Sequence, residues 1–110
     1  MDVTSVKKES APSLEILRAA ENQIRDAIKR NKGTGAFWVF GSVARGESVT
    51  GSDYDLLVDF LPGASYFDVA TLEIELTELL GNPVEVMSTK SEGYAADHAR
   101  SQAVLVSHGF

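Results

Sequence analysis

Gly41-Ser42-Val43-Ala44-Arg45-Gly46-Glu47-Ser48-Val49-Thr50-Gly51-Ser52-Asp53-Tyr54-Asp55-Leu56-Leu57-Val58-Asp59 is the stretch on which the reading turns. Before it runs Ala36-Phe37-Trp38-Val39-Phe40, a continuous apolar and aromatic segment that reads as a buried strand. Gly41-Ser42 stops that strand, and Val43 to Glu47 reads as one or two helical turns. Ser48 to Ser52 is a loop, and Asp53 to Phe60 is a second strand. Its alternation sends Tyr54, Leu56 and Val58 to one face and Asp53, Asp55, Leu57 and Asp59 to the other.

Three chemical features lie within this stretch. Gly41-Ser42 at a strand end offers backbone amides, a hydroxyl and close approach to an anion such as phosphate. Asp53 and Asp55 stand on one strand face, about 7 Å apart along the backbone, where two carboxylates repel unless a cation lies between them. Hard oxygen donors at this spacing suit Mg²⁺. Arg45 is placed to meet a phosphate. Each feature alone has a plainer account: a turn, a solvated strand face, a surface arginine. Together, with the ten residues Val43 to Ser52 between Ser42 and Asp53, they put a phosphate cradle and a carboxylate dyad at the same end of two neighbouring strands.

Outward from this centre, Leu14, Leu17, Ile24 and Ile28 form a helical stripe beginning near Pro12, with Gly33 as its left-handed cap. Residues 1–11 read as a flexible tail ahead of a single domain over 12–110. After Leu61-Pro62-Gly63, Ser65 and Asp68 form a capping box for a second long helix with Val69, Leu72, Leu76, Leu79 and Leu80 on its apolar side, ended by Gly81 and Pro83. Val84 to Met87 is a third strand, Ser91 to Arg100 is weakly helical, and Ala103 to Val106 is a strand or a last helical turn. Trp38 and Phe40 are assigned to the core, His98 and His108 to the surface. The fold class is α/β (α+β), a mixed sheet flanked by helices.

Composition narrows the functions. The chain has 110 residues, enough for one domain and one core. It has no cysteine, which excludes disulfides, thiol nucleophiles and thiolate zinc sites. Ten Lys and Arg against sixteen Asp and Glu give a net charge of −6, poorly suited to direct nucleic-acid binding. No apolar run approaches the roughly 20 residues of a membrane helix. The N-terminus lacks a signal-peptide core, so the expected location is the cytoplasm.

The run from Gly41 to Val58 resembles the nucleotidyltransferase fold of the DNA polymerase β superfamily, whose signature is Gly-Ser, a spacer, then Asp-x-Asp. More narrowly it resembles the minimal nucleotidyltransferases, whose run reads close to GS-x-ARG…SD-x-DLLV. The resemblance extends over residues 13–106. It implies a mixed sheet flanked by helices, two Mg²⁺ ions and ATP as substrate. It implies that Gly41 and Ser42 hold the triphosphate and that Asp53 and Asp55 hold the metals. It also implies a HEPN-type helical toxin as partner, forming an oligomer in which the nucleotidyltransferase is the antitoxin and silences an RNase by transferring AMP to a tyrosine. The family's third metal-binding and catalytic carboxylate is usually Asp; here the matching position is Glu85, in Pro83-Val84-Glu85-Val86-Met87. Two alternatives stand beside this expectation: a degenerate module that binds nucleotide or partner without catalysis, and a small-molecule (antibiotic) nucleotidyltransferase whose acceptor site lies on another subunit.

Overall fold

In the computed structural model, residues 11–109 are described. The tail expected over residues 1–11 therefore lies, but for Ala11, outside them. Among the described residues are five helices and four strands. In chain order these are α1 (Leu14–Ala19), α2 (Glu21–Arg30), β1 (Gly33–Phe40), α3 (Gly41–Arg45), β2 (Tyr54–Phe60), α4 (Tyr66–Leu80), β3 (Val84–Ser88), α5 (Tyr94–Gln102) and β4 (Val104–His108). The strands form one sheet in the order β3-β2-β1-β4. β1 runs antiparallel to β2 and to β4, and β2 runs parallel to β3 through the α4 crossover.

Pattern and structure agree best where capping and periodicity coincide. Ser65 accepts from the Asp68 amide and Asp68 accepts from the Ser65 amide, so α4 starts at its capping box; Gly81 ends it at φ +77°. Leu72 and Leu76 of α4 and Leu17, Ile24 and Ile28 of α1 and α2 are fully buried. They meet Phe37 and Val39 of β1 and Tyr54, Leu56 and Val58 of β2 in one core on one sheet face.

Several expectations are corrected. The first helix is broken: Ala20 leaves helical geometry at φ −99°, ψ 11°, while Leu17 and Ile24 on either side of it are both buried. Its start is Ser13, whose hydroxyl accepts from the Ile16 amide; Pro12 precedes the helix and is buried. Lys32, not Gly33, takes the left-handed conformation, at φ 66°. Gly33 instead opens β1, where a side chain would collide with Ile28. The short helix begins at Gly41, two residues earlier than expected. Leu79 is exposed.

Trp38 and Phe40 are also not core residues. β1 buries its odd positions, and these two are half-buried on the opposite face. That second face carries Asp55, Leu57 and Glu85 as well. Leu57 is covered there, along with Ala96 and Ala99 of α5, outside the main core. His98 and His108 are exposed, as expected. Of Ala103 to Val106, Val104 to Val106 form the start of β4, pairing with β1, and Ala103 ends α5. Among the described residues, no helix is long and apolar enough to cross a membrane.

Candidate active site

The site begins with Tyr54. This residue is fully buried between Asp53 and Asp55, and its hydroxyl accepts from the Ser13 amide at 3.2 Å. Burial raises its pKa, with the Ser13 bond opposing. With Tyr54 fixed inward, period two turns its neighbours to the second face. The preceding loop is pinned twice: Ser48 donates to the Pro12 carbonyl at 2.5 Å, and Ser52 accepts from the Val49 amide at 2.9 Å.

Pairing then draws the chemistry into one row. Phe40 stands opposite Asp55 across the antiparallel ladder, and Asp55 stands opposite Glu85 across the parallel one. Gly41, directly after Phe40, turns at φ +72°, where L side chains are strained. A Cβ at Gly41 would run into the Asp55 carboxylate, lying 3.2 Å from its Cγ. The glycine thus lets the backbone that opens α3 pass directly against that carboxylate. No side chain caps α3.

Asp55 is electrostatically frustrated. Its pKa rises from 3.8 to about 6, first because burial penalises the charge. The Glu85 carboxylate then adds a hydrogen bond to the protonated form and a like charge, and Asp53 adds a weaker repulsion. Arg45 alone opposes these effects. Its guanidinium is engaged elsewhere, donating to Glu47 at 2.8 Å and to Gln102 at 3.3 Å.

Asp55 and Glu85 are therefore brought together, with Gly41 against them and Ser42 next in the first turn of α3. Asp53 is exposed at the rim, one residue before β2. Among the described residues, no three Asp, Glu or His side chains are arranged to hold one ion. The donor set nonetheless fits a hard divalent cation: two convergent carboxylates raise each other's energy, and a cation relieves that.

Asp59, at the far end of β2, takes no part. It accepts from Thr34 and Thr89, both at 3.1 Å, and pairs with Lys90 at 3.6 Å, tying β1 to the end of β3. Sequence reading missed the Pro12–Ser13 strap and the Gln102 contact to Arg45, for which local pattern holds no signal. It also missed a groove beside β3 at Glu85. Its signal was Tyr66, an aromatic off the apolar stripe of α4 that is 86% exposed.

Comparison with known proteins adds to this geometry. The family profile described as "Polymerase beta, Nucleotidyltransferase" matches residues 22–108. A Methanocaldococcus jannaschii protein provisionally named a protein adenylyltransferase is 33% identical over 91 residues, covering 83% of this chain and 82% of that protein. A solved structure provisionally described as a minimal nucleotidyltransferase aligns with TM-score 0.69 and 35% identity, over 84% of this chain and 95% of that one. A Shewanella oneidensis complex of a tri-AMPylated HEPN toxin with an MNT antitoxin has the same fold, with TM-score 0.59 and 19% identity over 80% of this chain and 69% of that one.

Proposed function

We infer a specific reaction for this chain, which belongs to the polymerase beta nucleotidyltransferase family: it transfers AMP from ATP to a hydroxyl, a tyrosine of a HEPN-type toxin, and so acts as an antitoxin in the cytoplasm. The carrying observation is Gly41 lying against the Asp55 carboxylate with Glu85 in register beside it. The provisional names of the relatives support protein adenylylation. A toxin–antitoxin chain solved with AMP-PNP supports nucleotide use, and the tri-AMPylated Shewanella complex supports the partner class.

In this reading the amides of Gly41 and Ser42 and the Ser42 hydroxyl hold the triphosphate, and Arg45 swings from Glu47 toward it. Asp53, Asp55 and Glu85 would hold two Mg²⁺ ions, which supply charge neutralisation for the attacking and leaving oxygens. The acceptor oxygen bonds to the α-phosphorus. Glu85 assists removal of the acceptor's proton, and the bond to the β-phosphate oxygen breaks to release pyrophosphate.

The exposed position of Asp53 favours one second reading, a module that binds nucleotide or partner without transfer. The deciding experiment is label transfer from α-phosphate-labelled ATP with Mg²⁺ to a HEPN-type partner, comparing wild type with Asp53→Asn/Asp55→Asn. A labelled partner with wild type alone supports the enzyme. Neutralisation of the partner without label, undiminished in the double variant, would replace transfer with occlusion.

A further inference from the structure

A groove of about 760 Å³ lies between β3 and the segment that runs from the end of β2 into α4, with Glu85 at one end and Met87, Ser88, Leu61, Tyr66 and Lys90 on its walls. Across the sheet come Gly41 after β1, Asp55 on β2 and Glu85 on the edge strand β3, and one end of this groove opens at Glu85. In-line substitution places the attacking and leaving oxygens on opposite sides of phosphorus. If pyrophosphate leaves on the Gly41 side, the attacking hydroxyl enters from the β3 side. The nucleoside is attached at an equatorial oxygen and projects away from that line, so it does not compete for the groove.

We propose that this groove is the acceptor site, and that it takes a protein segment presenting one hydroxyl side chain between apolar neighbours. The proposal rests on the transfer reading above. The groove is large enough for such a side chain with its flanks. Leu61 and Tyr66 stand exposed at its rim, at 48% and 86%. The β3 edge cannot extend into a further strand along its first half: the Val84 amide donates to Thr77 and the Val86 amide to Glu73, both on α4. Recognition there is by inserted side chains rather than by strand addition. Charge selects against acidic flanks. The Lys90 amine is engaged with the Phe60 carbonyl at 2.6 Å and with Asp59, so among the described residues the groove offers no free cation, in a chain of net charge −6.

The test uses the whole chain, isotope-labelled, with Mg²⁺ and α,β-methylene ATP, which cannot transfer AMP. The acceptor probe is the acetylated, amidated peptide Lys-Leu-Tyr-Leu-Lys, with a second peptide bearing Glu in place of Lys. The nucleotide is expected to shift amides at residues 41–45, and the basic peptide those at 61–66 and 86–88. Leu61→Ala with Tyr66→Ala should weaken the peptide about five- to tenfold and leave nucleotide affinity unchanged, the usual cost of truncating exposed anchors. The acidic peptide should bind more weakly than the basic one. Peptide shifts elsewhere, or none, with the nucleotide bound would overturn the groove assignment and leave the transfer reading standing. Nucleotide shifts within the groove would overturn it in favour of a nucleoside site. Absence of nucleotide shifts at 41–45 would sink the transfer reading and the acceptor site with it.

Discussion

Replacing Asp55 by Asn should make the metal-free protein more stable while abolishing transfer. The charged Asp55 side chain is costly where it stands, because burial, Glu85 and Asp53 all disfavour its ionised form. A rise from 3.8 to about 6 corresponds to at most about 3 kcal/mol at 1.36 kcal/mol per pH unit. The carboxyl is only half-buried, so solvent screening reduces this to about 1–2 kcal/mol. Asn removes the charge and can donate to Glu85. The sign follows from proton counting: between pH 3.8 and about 6 the folded chain holds a proton on Asp55 that the unfolded chain has lost, so wild-type stability falls as pH rises through that window. The advantage of Asn should be small near pH 4, grow to pH 6 and level off above pH 7. Chelator-treated thermal melts across this range measure it, and the plateau corresponds to roughly 5–10 °C. Adding Mg²⁺ should then raise the wild-type midpoint and leave Asp55→Asn nearly unchanged. A gain of the same size at pH 4 and pH 8, or no gain at all, would refute the electrostatic account.

Gly41→Ala should cost about 1–3 kcal/mol, because it forces a side chain into a left-handed conformation and against Asp55; chemical denaturation reads the loss. In the same variant AMP transfer should fall about 100-fold or more, as a displacement near 1 Å at the reacting centre does. Asp53→Asn should shift stability by less than about 0.5 kcal/mol, since Asp53 is exposed, yet reduce transfer about 100-fold in the label assay. Asp59→Ala should remove acceptors for Thr34 and Thr89 and destabilise by about 1–3 kcal/mol, with nucleotide affinity by calorimetry unchanged.

The Gly-Ser spacing to Asp-x-Asp was legible because the site is local in sequence: one strand end, one loop, one strand start. The α4 boundaries were legible because a capping box and a terminal glycine are local chemistry. What escaped was set by distance along the chain. Trp38 and Phe40 sit in a run apolar on both faces, so alternation could not separate them. Only the pairing of β1 with β2 and β4 shows that their face is the more thinly covered one. Tyr54 being tied to Ser13, 41 residues away, is likewise invisible to any window. The groove beside β3 forms from the turn after β2 and an edge strand more than twenty residues later.

The site's own charge constrains how its ligands bind. Gly41 and Ser42 offer neutral donors, and the nearest cation, Arg45, is held by Glu47 and Gln102. A triphosphate arriving alone would meet Asp53, Asp55 and Glu85 with little to offset them. A divalent cation alone would find two convergent carboxylates and a third at the rim, with its shell incomplete. In the proposed reaction each ligand supplies what the other lacks, so each is expected to raise the affinity for the other by the same factor. The strain on Asp55 follows, in that reaction, from this division of labour: a cation would relieve it, and would be best held with the nucleotide beside it.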